Sequence, residues 1–321
     1  MSLNLKASEE PDTHQTHWPG TGTSLRRAAR SRRAAAGLSF SSSNRAGESD
    51  RLKRQRNSMS QKHKLAVQKQ FTKTAEAFST YAVRDTPEVL DEKVEFIKPQ
   101  ATDFALDVAC GPGALVLALA PRVRFARGID LTEEMIRRAR RFQLEKNIPN
   151  AAFARGEAER LPYPGATFDL VTCQCSLHHM PRPELALKEM VRVMKPDGRL
   201  AIIDTLGPES DSKFDLHNRI EALRDPSHTL SLRLTTFLEM FEKCDLEIAR
   251  QSLKRRQRSY DQWMLRAGLE PSHKSYQETR KLLEESMPGD RAGFSPLPQG
   301  DDILITHNEG MFVLVGTKAQ G

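Results

Sequence analysis

Two aspartates end neighbouring apolar runs: Asp107 within ALDVACGPG (105–113) and Asp130 within ARGIDL (126–131), 23 residues apart. Gly111 and Gly113 follow Asp107 and permit backbone geometry that a side chain would block. A helix opening beyond such a turn offers unpaired N–H groups and the positive end of its dipole, which together suit a carboxylate or phosphate. An acid at the end of the following strand is where open α/β sheets hold ribose hydroxyls. The spacing therefore points to a ligand with an anionic group and a ribose. The dinucleotide fingerprint G-x-G-x-x-G/A is a poor match, because counting from Gly111 places Val116 where its third small residue belongs.

A second set of reactive side chains lies further on. His178, His179 and Asp204 sit near the ends of predicted strands, at the sheet edge where ligands bind, and are the candidates for a general base. Cys173 and Cys175 alternate along the strand before them and are read as packing residues. KRRQR (254–258) is read as a solvated surface run after a strand, and RDPSH (224–228) as a polar turn within an otherwise helical stretch.

The elements that position these groups alternate as strand, helix, strand, helix, the pattern of a parallel sheet with helices on its faces. Strands are predicted at 104–108, 124–130, 151–154, 168–173 and 200–204, with helices starting near Gly113, Thr132, Pro183 and Thr235. Thr132 is the expected N-cap of LTEEMIRRAR, whose first turn is acidic. Beyond Asp204 the reading is helix 212–224, strand 246–252, helices 260–267 and 276–286, and a closing strand at 311–316 (MFVLVG). Ahead of the first strand, 64–81 (KLAVQKQFTKTAEAFSTY) predicts a helix with Val67, Phe71 and Phe78 near one face.

The formal net charge of the 321-residue chain is +7. Residues 1–58 hold 11 Lys or Arg against 5 acids, which leaves the remainder at about +1. Each neutralised phosphate needs its own Lys or Arg, so this distribution argues against a nucleic-acid partner. Residues 1–58 are read as a disordered basic tail and 59–321 as one catalytic domain: a ligand-binding half (59–205), a substrate-side elaboration (206–310) and a final strand and tail (311–321). Four cysteines without a CxxC pair imply neither a disulfide framework nor a metal site, and fit a reducing cytoplasm. No apolar run is long enough to span a bilayer.

These segments resemble class I S-adenosylmethionine-dependent methyltransferases, and especially the branch that includes quinone-biosynthesis C-methyltransferases. The likeness runs from about Phe71 to Asp204 through ALDVACGPG, ARGIDL, GEAERLPYPGATFD, FDLVTCQCSLHHM and RVMKPDGRLAIID. It implies a doubly wound Rossmann-like α/β fold, a mostly parallel seven-stranded sheet whose last strand is antiparallel. It also implies S-adenosylmethionine as cofactor. By that resemblance, the turn from Asp107 through Ala109 and Gly111 to Gly113 holds the methionine part, and Asp130 with Leu131 holds the ribose. Glu157 and Ala158 face the adenine, and the carbonyls of Gln174 and Cys175 meet the ammonium group. Tyr81 joins this set as a lid over the cofactor, with Phe78 beside it. The expected activity is methyl transfer to a small-molecule acceptor. A nucleic-acid methyltransferase, a noncatalytic cofactor-binding protein and a nicotinamide oxidoreductase are the alternatives.

Overall fold

The computed structural model describes residues 61–75 and 86–317. Tyr81, Phe78 and the basic tail lie outside them. The first described helix, α1, spans 61–73. Then follow α2 (Pro87–Ile97), β1 (Phe104–Val108), α3 (Ala114–Leu119), β2 (Phe125–Asp130), α4 (Glu133–Glu145), β3 (Ala151–Arg155) and β4 (Phe168–Gln174). The second part contains α5 (Pro183–Val193), β5 (Met194–Leu206), α6 (Asp211–Arg224), α7 (Leu234–Glu242), β6 (Leu246–Ser259), α8 (Tyr260–Arg266), α9 (Lys274–Ser286), β7 (Leu297–Gln299) and β8 (Asp302–Gly316).

The sheet runs β3-β2-β1-β4-β5-β8-β6, with the short β7 paired to β8. β1 to β5 pair in parallel and β8 inserts antiparallel between β5 and β6. This is the expected doubly wound α/β sheet with an antiparallel last strand, extended from seven strands to eight by the short β7. β1 and β4 are buried along nearly their whole length because helices cover both faces, which is why they read as apolar runs. One core joins Leu106, Ile129, Val171 and Ile202 to α5 and α7, and the core on the other face joins Ala105, Leu170 and Val313 to α2, α3 and α4.

Local signals account for the helix starts. Pro183 stands in the first turn of α5, where its missing N–H costs nothing. Thr132 occupies the N-cap of α4, but its hydroxyl makes no capping bond. Its backbone N–H instead donates to Asp130 Oδ1 at 2.8 Å.

β5, β6 and β8 are each longer than the sequence suggests. β6 and β8 pair from Leu246↔Gly316 to Ser259↔Leu304, so KRRQR lies inside a strand and not on a run after one. The charges are tolerated because alternate residues share a face and find acids there: Arg256 donates to Glu92 at 2.8 Å and to Glu309 at 3.0 Å, and Lys254 pairs with Glu92. Between these strands, α8 and α9 build a third core of Tyr260, Trp263, Tyr276, Leu283 and Phe294 with Ile220 of α6.

Candidate functional site

The C-terminal ends of β1, β2 and β4 open into a cavity of about 230 Å³. The chain leaves β1 and β4 through unusual backbone, since Ala109 (φ 57°) and Cys175 (φ 52°) are left-handed without being glycine. Such residues cost about 1–2 kcal/mol each and concentrate at functional sites. Gly111 (φ 53°) completes the turn after β1, and a Cβ there would meet nothing within 4 Å. Its backbone thus faces open space that a ligand can approach.

Asp130 fastens this turn. Its Oδ2 accepts from Gly111 N at 2.9 Å while Oδ1 accepts from Thr132 N, so one carboxylate links the ends of β1 and β2. Burial raises its pKa against the pull of those N–H donors. Asp107 is also buried and accepts a hydrogen bond from Thr172 Oγ1 at 2.7 Å. Burial dominates there too, pushing its carboxyl up to about 7.

Helix α1 covers the cavity with His63, Lys64, Val67 and Phe71. Lys64 Nζ donates to Glu157 Oε2 at 2.8 Å and lies 3.2 Å from Glu159 Oε2. Burial alone would lower the lysine pKa, but the hydrogen bonds to the two glutamates raise it. Gln68 donates to Leu131 O at 3.2 Å, and His63 Nε2 meets His179 O at 2.9 Å. The helix is thereby tied to the segments after β2, β3 and β4.

The segment after β4 brings the histidines. His178 Nδ1 is 2.5 Å from Asp204 Oδ1, and Asp204 Oδ2 accepts from Leu177 N at 2.9 Å. His179 Nδ1 is 3.1 Å from Ser227 O, with the Phe71 ring edge-on to it at 5.1 Å. Burial, then the neighbouring His178, lowers the His179 pKa to about 3, and burial lowers that of His228 to about 4.

The cavity brings together Asp107, Ala109, Gly111, Asp130, Leu131, Glu157, Ala158, Gln174, Cys175, His178 and His179. Two residues of the expected set stand behind its wall. Asp204 reaches it through His178, and Gly113 packs against the core, where a Cβ would lie 2.7 Å from Phe153 Cε1. Tyr81 is outside the described residues. His63, Lys64, Met180, Arg224 and Asp225 also line the cavity and were not singled out as site residues from the sequence. Val67 and Phe71 could be placed on a helix face by periodicity, but only the fold brings that face here.

Comparison with known proteins agrees with this architecture. Residues 106–202 match a family described as a methyltransferase domain. The chain is 34% identical over 201 residues to the uncharacterized methyltransferase YcgJ of Bacillus subtilis (strain 168), covering 62% of this chain and 78% of YcgJ. The crystal structure of the Bacillus subtilis YcgJ protein superposes with a TM-score of 0.66 at 27% identity, covering 72% of this chain and 98% of that one. A demethylmenaquinone methyltransferase of Lactobacillus johnsonii is 38% identical over 119 residues, which span 35% of this chain and 48% of that enzyme. The strand order, the turn after β1 and a relative matched over most of its length agree: the chain belongs to the S-adenosylmethionine-dependent methyltransferase family.

Proposed function

We propose that this enzyme methylates a small-molecule acceptor, with the cofactor at the Asp107–Asp130 end of the cavity and the acceptor at the His178 end. The observation that carries the reading is one cavity, covered by α1, that is lined both by Asp130 at the end of β2 and by His178, which Asp204 holds.

The residues present fit the cofactor. A side chain at Gly111 would stand in open space, Asp130 holds the Gly111 turn to the end of β2 with its carboxylate, and Asp107 is a buried carboxyl beside the same turn. Asp107, Ala109 and Gly111 would hold the methionine part, Asp130 and Leu131 the ribose, Glu157 and Ala158 the adenine, and the carbonyls of Gln174 and Cys175 the ammonium. Gly113 supports the turn by packing against Phe153. Bound S-adenosylmethionine supplies an already activated methyl group for in-line displacement.

The chain's own residues have three tasks. They align the acceptor, exclude water and take up a proton. Val67 and Phe71 of α1 close the cavity with apolar side chains. Asp204, a pure acceptor when ionised, orients His178 so that Nδ1 carries the proton and Nε2 is the basic atom. His179, held neutral and turned to Ser227, serves as wall. Among the described residues no group of three or more His, Cys, Asp or Glu is placed to hold a metal ion, and no helix is long and apolar enough to cross a membrane.

Calorimetric titration of the full chain with S-adenosylhomocysteine, with reduced nicotinamide dinucleotide as control, tests the cofactor end. Saturable binding of the first alone is the expected result. A panel of phenols, thiols and organic acids with labelled S-adenosylmethionine then tests the acceptor end. Methylation of nucleic acid in preference to every small molecule would overturn the reading.

A further inference from the structure

Ring tautomers decide what the two adjacent histidines can offer a ligand. His178 Nδ1 is 2.5 Å from Asp204 Oδ1, and a carboxylate can only accept, so Nδ1 carries the proton. His179 Nδ1 lies 3.1 Å from Ser227 O and 3.2 Å from Ser227 Oγ. The carbonyl can only accept, and the hydroxyl gives its own proton to Asp225 Oδ1 at 2.6 Å, so Nδ1 of His179 is protonated as well. In a neutral imidazole the other nitrogen is then an acceptor. Both side chains line the cavity, and among the described residues neither Nε2 has a hydrogen-bond partner. Two acceptor nitrogens thus stand on neighbouring rings whose centroids are 4.3 Å apart.

Their spacing is fixed before a ligand arrives. Thr229 N and Leu230 N donate to His178 O at 2.8 and 3.2 Å, and His63 Nε2 lies 2.9 Å from His179 O. The Phe71 ring stands edge-on to His179 at 5.1 Å. Groups ordered in this way lose less entropy on binding. Donors on adjacent atoms of a ligand can reach two acceptors so close together. The donors of a para-disubstituted ring point in opposite directions and cannot.

Charge selects against ions. The cavity lining holds Asp107, Asp130, Glu157, Glu159 and Asp225 against Lys64 and Arg224, an acidic excess that an anionic acceptor would have to face. Both cations are engaged, Lys64 by Glu157 and Glu159 and Arg224 by Glu221. An ammonium nitrogen, for its part, has no lone pair to receive a methyl group. Burial and the adjoining His178 keep His179 from taking a proton near neutral pH, so its Nε2 stays an acceptor. Among uncharged hydroxyls, a phenol with a pKa of about 10 is within reach of an imidazole base.

We propose that His179 is a specificity residue whose Nε2 receives a second donor of the acceptor molecule while His178 receives the first, so that the substrate is an uncharged ortho-diphenol. The hydroxyl at His178 gives its proton to Nε2 as its oxygen bonds to the methyl carbon, and the electron pair of the broken methyl–sulfur bond stays on sulfur. This inference rests on the assignment of the acceptor to the histidines.

The test titrates the full chain, with and without S-adenosylhomocysteine, at millimolar concentrations of catechol, ortho-aminophenol, phenol, ortho-methoxyphenol, resorcinol and hydroquinone. One further neutral hydrogen bond is about three- to tenfold in affinity. We expect catechol and ortho-aminophenol to bind more tightly than phenol, resorcinol and hydroquinone by that factor. Ortho-methoxyphenol, which keeps the shape of catechol but one donor, should lose it. His179→Asn retains an amide N–H for Ser227 O but no Nε2, and should level the series while affinity for S-adenosylhomocysteine holds. Phenol or ortho-methoxyphenol binding as tightly as catechol, a preference for resorcinol or hydroquinone, no binding of catechol, or an advantage that survives His179→Asn would each overturn the proposal. The ranking in the unsubstituted chain is decisive even where His179→Asn fails to fold. Failure of S-adenosylhomocysteine to bind sinks the cofactor assignment separately, because the series is also read without it. Unchanged methyl transfer to catechol in His178→Gln would remove the base assignment and leave the donor ranking untouched.

Discussion

Asp204 Oδ1 lies 2.5 Å from His178 Nδ1, and the same carboxylate also accepts from Leu177 N at 2.9 Å and Thr205 N at 2.7 Å. Four atoms of β5 and of the turn after β4 thus fix one imidazole. Because an ionised carboxylate can only accept, the Nδ1–H tautomer follows, and the lone pair falls on Nε2. His179 shows the contrast: its Nδ1 meets a backbone oxygen in place of a carboxylate, and burial and the adjoining His178 keep it from taking a proton near neutral pH.

The first prediction concerns this pair. General-base catalysis contributes about 10²- to 10⁴-fold, so His178→Gln should lower kcat by that order on any acceptor the enzyme turns over. Asp204→Asn should lower it as well, because an amide nitrogen facing Nδ1 destroys the tautomer preference. Both variants should keep their affinity for S-adenosylhomocysteine. The limb of the pH–kcat profile that reports the histidine should vanish in His178→Gln and move in Asp204→Asn. An unmoved profile with merely reduced thermal stability would leave Asp204 a structural role only.

A second prediction isolates the cofactor end. Asp130→Ala removes the acceptor that joins Gly111 N to Thr132 N and the oxygens assigned to the ribose. Hydrogen bonds involving a charged group contribute about 1.5–3 kcal/mol, so affinity for S-adenosylhomocysteine should fall at least tenfold. The rise in melting temperature that the ligand produces should shrink in step. A folded Asp130→Ala with unchanged affinity would show that the ribose lies elsewhere.

How far these assignments could be made from sequence depends on which contacts are local. β1 reads out of Phe104–Val108 because a parallel strand buried on both faces must be continuously apolar, and Asp107 and Asp130 stand out because acids interrupt or end such runs. The antiparallel end of the sheet resisted the same reading. KRRQR looks solvated until Glu92 of α2 and Glu309 of β8 arrive from 164 and 53 residues away. Likewise, nothing within RDPSH announces a cavity residue, since Trp263, which positions Arg224, is 39 residues distant. Gly113 was legible as a turn glycine, but its packing against Phe153 was not.

That glycine supplies a third prediction. At Gly113 (φ 85°) a Cβ would stand 2.7 Å from Phe153 Cε1 and 3.1 Å from Ala139 Cβ, whereas at Gly111 (φ 53°) it meets open space. Gly111→Ala should therefore cost only the left-handed backbone penalty, about 1–2 kcal/mol. Gly113→Ala adds overpacking of about 1–3 kcal/mol to that penalty. Urea unfolding should rank Gly113→Ala as the less stable variant, and S-adenosylhomocysteine titration should rank Gly111→Ala as the weaker binder relative to its stability. The reverse ranking would exchange the roles given to the two glycines.

The last prediction is a pH dependence. Burial holds the Asp107 carboxyl at about 7 in the fold, against 3.8 for an unperturbed aspartate. Between those values the native state keeps a proton that the unfolded chain has released, so this residue's contribution to stability declines as pH rises through the window and is flat above it. The full difference is on the order of 4 kcal/mol. His179 and His228 act in the opposite sense: their folded pKa values of about 3 and 4 lie below the ordinary 6.5, so acid favours the unfolded chain as pH falls from 6.5. Raw melting curves will mix the two slopes, whereas subtraction separates them. Asp107→Asn keeps an oxygen for Thr172 Oγ1 but cannot titrate. The variant minus the unsubstituted protein should therefore gain stability steadily from about pH 4 to pH 7 and then level off. A difference curve flat over that range would show that Asp107 is ionised in the fold throughout.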